Sequence, residues 1–330
     1  MNLLVTGGAG FIGSNFIRHW ARSHPDDGIA VIDLLTYAAD TRSLGEVGID
    51  VIRGDIGNVD LIEHLLDERA IDVVVNFAAE SHNSLALLDP TGAFRTNVLG
   101  TQGCLEAARR IGVTRFHHVS TCEVYGDLAL DSPDSFREES PYRPRTPYNA
   151  AKAGGDHAVR AYHETYGVPV TISNCCNNYG PYQFPEKVIP LFTTRALDDM
   201  PLPLYASTQN RREWLHVDDH CRAIERVILE GTVGETYNVG SGVEASIEDI
   251  ADLVLDELGK PASLKTIVPD RPGHDRRYLL DSSKIRSELG WKDEVPFEEG
   301  LRATIRWYAE HRQWWEPLRD RAPVVEENWR

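Results

Sequence analysis

The sequence predicts an α/β fold, a doubly wound parallel sheet with a smaller C-terminal α/β cap. Three observations predict it. Over the first 120 residues, short apolar runs alternate with helical stretches, the rhythm of parallel strands joined by crossover helices. The strand expected from Asp72 to Phe77 has a continuous apolar run, Val73 to Val75, rather than an alternating pattern, as in a sheet covered on both faces. Beyond residue 176 the rhythm breaks, Pro and charged residues become frequent, and the elements shorten.

The chain has 330 residues, 42% of them hydrophobic, enough for one large or two modest globular domains. A formal charge of -17 provides no basic face for nucleic-acid phosphates and reads as an acidic, solvated surface. No apolar run is long enough to span a bilayer, and the chain starts directly on a strand, so no membrane partner and a cytoplasmic location are expected. The five cysteines (Cys104, Cys122, Cys175, Cys176 and Cys221) have no metal spacing and read as free thiols. No internal repeat or low-complexity segment is present.

Asn2 to Thr6 is a strand. The turn Gly7-Gly8-Ala9-Gly10-Phe11-Ile12-Gly13 then opens a helix to about His24. Glycines at 7, 10 and 13 allow the tight turn, let backbone N–H groups approach a pyrophosphate, and let the helix pack closely on the sheet. The next strand, Ile29 to Ile32, ends at Asp33, twenty residues past Gly13, the spacing of an acid that grips a ribose diol. A carboxylate there repels a 2′-phosphate, so this Rossmann-type half is expected to take NAD rather than NADP. Val51 to Arg53 leads to Gly54-Asp55-Ile56, where Asp55 either touches the adenine or is an exposed loop residue. Asn58 caps a helix to about Arg69. The strand from Asp72 ends in Ala78-Ala79-Glu80-Ser81-His82, where small residues let the backbone come close to the cofactor. One helix, with Asn97 and Gly100 inside it, is expected from about Pro90 to Ile111.

Phe116 to Val119 is a strand whose carboxyl end delivers Ser120-Thr121-Cys122-Glu123-Val124-Tyr125-Gly126 to the edge where open α/β sheets bind ligands. Asp127 to Pro147 is an acidic, Pro-rich loop. It delivers a helix with Tyr148 and Lys152 four apart, on one face. Val168 to Ser173 is a strand ending in Asn174 to Tyr182. In the C-terminal half, strands are expected over Trp214 to Val217 and Thr236 to Val239, with helices from about Asp219 to Glu230 and Ile247 to Leu258. The tail carries Trp307, Trp314 and Trp315 and reads as a helix packing aromatics in core or interface. Residues 1–175, with short returning segments from the C-terminal half, form the dinucleotide-binding domain; 176–330 form the second, mainly substrate-binding, domain.

At Thr121, Tyr148 and Lys152 the chain resembles the extended short-chain dehydrogenase/reductase family, over nearly its whole length. Longer blocks resemble its dTDP-glucose 4,6-dehydratase branch. These are Ala78 to His82, Thr121 to Leu128, Asn177 to Lys187, Arg212 to His220, and Arg271 to Tyr278. The resemblance implies a nucleotide-sugar dehydratase, a homodimer that recycles a tightly bound NAD, with a place in deoxysugar or antibiotic biosynthesis. It puts Gly7, Gly10, Phe11, Ile12, Gly13, Asp33, Asp55, Ile56, Ala78, Ala79, Tyr148 and Lys152 at the cofactor. It puts Asn177, Lys187, Tyr205, Arg212, Asn238, Arg271 and His274 around the base and diphosphate, with Ser81, His82, Thr121 and Val188 as further substrate contacts. Two guanidiniums and a lysine match diphosphate charge.

The implied roles are chemically sound. Tyr148 takes the proton of the sugar 4-hydroxyl. A phenol of pKa ~10 is a poor base, and the Lys152 ammonium and the nicotinamide charge are expected to lower it. Thr121 bonds the same hydroxyl. Glu123 removes the C5 proton that a C4 ketone acidifies, which a simple 4-epimerase does not need. Cys122 departs from the branch, which has Asp there as the acid for the leaving C6 hydroxyl. A thiol of pKa ~8.5 is protonated at neutral pH but is a weaker donor. Either Cys122 replaces the acid and the product is the 4-keto-6-deoxy sugar, or the hydride returns to C4 and leaves a 5,6-ene. The second outcome resembles the NDP-hexosamine 5,6-dehydratases, which place Cys before Glu. Other departures border the substrate: Asn83-Ser84-Leu85-Ala86 for Val-Asp-Arg-Ser, Tyr205-Ala206-Ser207-Thr208 for Tyr-Gly-Asp-Gly, and Gly240 to Glu244 for Gly-Gly-x-Asn-Glu. A 4-epimerase, a nucleotide-uronate decarboxylase and a non-catalytic NAD sensor are the competing readings. A sensor has no use for the Tyr148–Lys152 pair.

Overall fold

The computed structural model describes residues 1–321. The N-terminal half alternates as the sequence predicts. Strand β1 (Asn2–Thr6) is followed by helix α1 (Phe11–Ser23), β2 (Gly28–Asp33), β3 (Val51–Arg53), α2 (Val59–Glu68) and β4 (Val73–Asn76). Asn58 caps α2, its side chain accepting from the Leu61 N–H at 3.2 Å. All four residues of β4 are buried, which explains its unbroken Val run.

The single helix expected over Pro90 to Ile111 is divided. A short α3 (Asn83–Leu88), which the sequence did not announce, comes first. Then follow α4 (Pro90–Phe94), a π-helical turn over Arg95–Gly100, and α5 (Thr101–Ile111). The wide turn lies where Asn97 points inward and clamps the Glu80 backbone, donating to its carbonyl at 3.0 Å and accepting from its N–H at 2.9 Å. Strand β5 (Arg115–Thr121) and helix α6 (Pro147–Tyr166) deliver the two reactive segments. Thr146 caps α6 with Pro147 in its first turn, and Gly167, at φ 70°, ends it.

Strands β6 (Val170–Cys175) and β7 (Asn177–Tyr179), helix α7 (Val188–Leu197), and strands β8 (Leu202–Tyr205) and β9 (Arg211–His216) follow. Helix α8 (Val217–Glu230), β10 (Thr236–Val239), β11 (Glu244–Ser246), α9 (Ile247–Glu257), β12 (Lys265–Val268), α10 (Ser283–Leu289), α11 (Phe297–Glu310) and α12 (Arg312–Arg319) complete the described residues. Seven strands form one parallel sheet in the order β10-β6-β5-β4-β1-β2-β3. The chain reverses direction across the sheet beside β1, and the carboxyl ends of β1, β4 and β5 meet at that switch point. Strands β11-β9-β7 and the pair β12-β8 make two small C-terminal sheets.

Strand β9 begins at Arg211, three residues before the expected start, and Val217 belongs to α8. Arg211 and Arg212 are held in β9 by pairing with Ser246 and Ala245. That long-range ladder leaves no local signal. The tail aromatics are core: Trp314 and Trp315 are buried with Phe184 and Tyr308, with Trp307 packed against them. Among the described residues, no helix is long and apolar enough to cross a membrane.

Candidate active site

The ends of β1, β4, β5 and β6 enclose a cleft of about 320 Å³. Every residue expected at the cofactor lines it: Gly7, Gly10, Phe11, Ile12 and Gly13, then Asp33, Asp55, Ile56, Ala78 and Ala79, and finally Tyr148 and Lys152. Gly7 has φ 66°, and a Cβ there would lie 2.6 Å from the Ala78 nitrogen, so only glycine lets these two strand ends meet. A Cβ on Gly13 would lie 2.5 Å from the Gly7 carbonyl oxygen. Gly10 caps α1 without any side-chain bond, leaving the first-turn N–H groups to the cleft. The Asp33 carboxylate accepts from the N–H groups of Ala9 (3.0 Å) and Leu35 (2.8 Å), and burial pushes its pKa up. Asp55 accepts from the Gly57 N–H of its own loop at 2.8 Å.

These residues fit NAD: a glycine turn and an open helix N-terminus for the pyrophosphate, and a carboxylate for the ribose diol. The cations on the cleft wall are Lys152 and Lys187. Both are engaged, Lys152 with the Val119 carbonyl (2.8 Å) and Lys187 with that of Ser81 (2.9 Å). Among the described residues, no arginine lines the cleft to match a 2′-phosphate.

Thr121, Glu123, Tyr148 and Lys152 share one wall of this cleft, as the sequence predicts. Thr121 lies at the end of β5, paired with Cys175 of β6. Tyr148 and Lys152 sit on the buried face of α6. Lys152 is 3% exposed, and its Nζ lies 3.5 Å from His118 Nε2. His118 is itself 3.4 Å from Asp156, one turn along α6. Burial lowers the Lys152 pKa, while Asp156 opposes that. Burial and the Lys152 charge push His118 down to about 4, so its imidazole is neutral.

In the chain by itself burial pushes the Tyr148 pKa up, Glu123, Cys175 and Cys122 add to that, and the neighbouring Thr121 hydroxyl opposes it. The expected lowering also draws on the nicotinamide charge and so concerns the NAD-bound enzyme. The Lys152 ammonium donates to the Val119 carbonyl at 2.8 Å. Glu123 is also raised by burial. Its bond from Asn83 Nδ2, at 2.8 Å, and the Arg271 charge pull the other way.

Cys122 is set back from the cleft. It is 1% exposed and packs in an apolar cluster with Val124, Tyr125, Cys175 and Cys176, behind the wall rather than on it. Burial holds its thiol protonated.

The substrate residues divide. Ser81, Asn177 and Lys187 line the cleft beside Thr121. His82 instead caps α3, its Nδ1 accepting from the Leu85 N–H at 3.1 Å, and burial lowers its pKa to about 3. Val188 opens α7 and packs against the C-terminal core. Tyr205 and His274 meet edge to face at 5.1 Å, and His274 lines a separate open groove of about 850 Å³ with Arg143, Arg145 and Arg276. Arg212 is buried over the Tyr278 ring, its guanidinium donating to the carbonyls of Arg211, Asp275 and Arg276. Arg271 has a buried Nη1 with no hydrogen-bond partner among the described residues, which suits an anionic ligand. Asn238 does not reach the cleft. It is fully buried on β10, accepting from the Tyr125 hydroxyl (2.8 Å) and donating to the Phe136 carbonyl (3.0 Å). Its side chain is used up inside the sheet.

Sequence reasoning missed Asn83, Tyr278, Asp275 and His118. Tyr278 and Asp275 lie in a block already singled out, but nothing local shows that the Tyr278 hydroxyl approaches Glu123 (3.5 Å) and bonds Asp275.

Residues 4–304 match the model of the GDP-mannose 4,6-dehydratase family. The chain is 48% identical over 323 residues to a dTDP-glucose 4,6-dehydratase of Mycobacterium tuberculosis, covering 97% of each. It is 46% identical over 327 residues to a dTDP-glucose 4,6-dehydratase of Streptomyces niveus, covering 97% of this chain and 96% of the relative. The crystal structure of DesIV, the dTDP-glucose 4,6-dehydratase of Streptomyces venezuelae, with NAD and TYD bound, superposes with a TM-score of 0.93 at 48% identity, covering 96% of this chain and all of that one. The fold, the NAD-matched cleft and these likenesses lead to one assignment: the chain belongs to the GDP-mannose 4,6-dehydratase family, on the branch of the dTDP-glucose 4,6-dehydratases, which are hydro-lyases.

Proposed function

We propose that the protein converts dTDP-glucose to its 4-keto-6-deoxy derivative. Glu123 on the same wall as Thr121 and Tyr148 carries the reading, because oxidation at C4 alone needs no second base. Tyr148 accepts the proton of the 4-hydroxyl, and Thr121 bonds that hydroxyl. NAD, when bound, supplies the hydride acceptor and donor that keep the cycle redox-neutral. Glu123 takes the C5 proton, whose bonding pair the C4 ketone stabilises. The C6 hydroxyl then leaves with one proton as water. Cys122 is protonated but stands behind the wall, so the acid facing the cleft at this point is Glu123 itself, carrying the proton it has just taken. Lys187, Asn177 and the unpartnered Arg271 guanidinium gather the nucleotide diphosphate. In this reading residues 1–175 hold the dinucleotide and 176–330 mainly the nucleotide sugar.

A second product, the 5,6-ene, forms by the same loss of water when the hydride returns to C4 instead of C6, and Cys122, in place of the Asp of the resembled branch, is the feature that supports it. Incubation with dTDP-glucose, read by mass spectrometry and NMR, decides. A C6 methyl beside a C4 ketone or its hydrate establishes 4,6-dehydration. Vinylic C6 protons without a ketone establish the 5,6-ene. Absence of any product with dTDP-sugars and UDP-sugars alike, despite NAD binding, would leave the sensor reading. The homodimer reading is supported by exposed Leu88, Phe94 and Leu99 on neighbouring helical turns, and light scattering tests it. The cytoplasmic reading is supported by five free, buried thiols.

A further inference from the structure

Asn83 is the residue to which the established features assign nothing. It stands where the resembled branch has Val, yet its side chain bonds at both ends. Nδ2 donates to Glu123 Oε2 at 2.8 Å, and Oδ1 accepts from the Thr146 hydroxyl at 2.7 Å. The two bonds fix which way the amide points, because the carboxylate needs a donor and the hydroxyl has one proton to give. Thr146 in turn accepts from the Asn149 N–H at 3.2 Å as the cap of α6, the helix that carries Tyr148 and Lys152. The Asn83 side chain is not needed to start its own helix, since His82 caps α3. The other contact to Glu123, from the Tyr278 hydroxyl at 3.5 Å, also falls on Oε2. Oε1 has no protein donor among the described residues, while Glu123 lines the cleft.

We propose that Asn83 is a positioning residue for the elimination step. By holding Glu123 Oε2 it turns Oε1 toward the substrate C5, favours the ionised carboxylate, and couples the C5 base to the helix that holds the C4 base. The inference rests on Glu123 being the C5 base. Six other groups face that carboxylate: Tyr278, Asp275, Arg271, Arg212, Tyr148 and Cys122. The two guanidiniums favour its charge, Asp275 opposes it, and the phenols and the thiol are neutral. Among the described residues Asn83 is thus the one uncharged donor at hydrogen-bond distance below 3 Å, and the charged neighbours act from farther away.

Asn83→Asp is the test, because it keeps the shape and the Thr146 bond while replacing the donor by an acceptor. Pre-steady-state mixing with dTDP-glucose should show nicotinamide reduction at the wild-type rate. Release of product, and exchange of the C5 hydrogen in heavy water, should slow on the order of ten- to a hundredfold. The acid limb of the kcat profile should move up by about one pH unit or more. Asn83→Val should show the same limb shift without the added charge. Wild-type elimination with an unmoved acid limb in either variant overturns the positioning role. Glu123→Gln separates the two claims. If it retains C5 exchange, the C5-base reading fails. If it is inactive while Asn83→Asp is unaffected, the base stands and the positioning fails.

Discussion

Lys152 donates from Nζ to the main-chain carbonyl of Val119 at 2.8 Å, which ties the second turn of α6 to the carboxyl end of β5. The bond places the ammonium two residues from Thr121 and beside the neutral His118. A cation held at 3% exposure has few other partners to move to. Replacing it with Met keeps the bulk and removes the charge that favours a Tyr148 phenolate. Lys152→Met should slow C4 oxidation on the order of 10²- to 10⁴-fold. Stopped-flow absorbance of the reduced nicotinamide measures this step directly, and a wild-type rate would remove Lys152 from the chemistry.

In the proposed reaction Tyr148 and Glu123 act at different carbons, so their variants should fail at different steps. Tyr148→Phe should bind NAD and never reduce it. Glu123→Gln should accumulate reduced nicotinamide without product. Burial raises the Glu123 pKa, and a base works only when ionised. Turnover should therefore fall as pH drops through a value above the ordinary glutamate pKa of ~4.3, and that limb should be absent from the C4 oxidation step. A limb shared by both steps would mean that Glu123 is not what titrates.

Cys122→Asp tests the departure from the branch. A carboxyl placed at a position 1% exposed, next to Glu123, stays protonated. It should raise the yield of 4-keto-6-deoxy product, because a carboxyl reaches farther than a thiol and is the stronger donor to the leaving C6 hydroxyl. It should also lower stability by about 1–3 kcal/mol, a fall of several degrees in Tm, because the apolar cluster offers it no partner. A fall in that product would show that the site is shaped around a thiol.

Asn238→Ala should damage the fold and spare the substrate. It removes the acceptor of the Tyr125 hydroxyl and the donor to the Phe136 carbonyl, a loss of about 1–3 kcal/mol. Thermal unfolding should show it, with KM for dTDP-glucose unchanged. A raised KM at an unchanged Tm would return Asn238 to the substrate.

Much of this molecule was legible from local pattern. The 7/10/13 glycines, Asp33 and the Tyr148–Lys152 spacing report geometry within one turn or one strand, and the structure brings all of them to one cleft. The π-helical turn at Arg95–Gly100 was not legible, because what accompanies it is Asn97 reaching the backbone of Glu80, 17 residues away. The surroundings of Asn238 were hidden for a related reason: the resemblance put it at the base and diphosphate, and no short stretch shows that its strand enters the main sheet beside β6.

The sequence by itself determined the doubly wound parallel sheet and the NAD-matched turn, since each depends on residue type and short-range spacing; the roles of Tyr148 and Glu123 as bases are what the family resemblance implies. Tertiary structure alone decided how those groups are tuned. It put Cys122 behind the wall, raised Tyr148 and Glu123 by burial, and joined Asn83 to Glu123 and Thr146 across 40 and 63 residues of chain. Burial and hydrogen bonds between distant segments set charge and orientation, and neither is a property of any short stretch of residues.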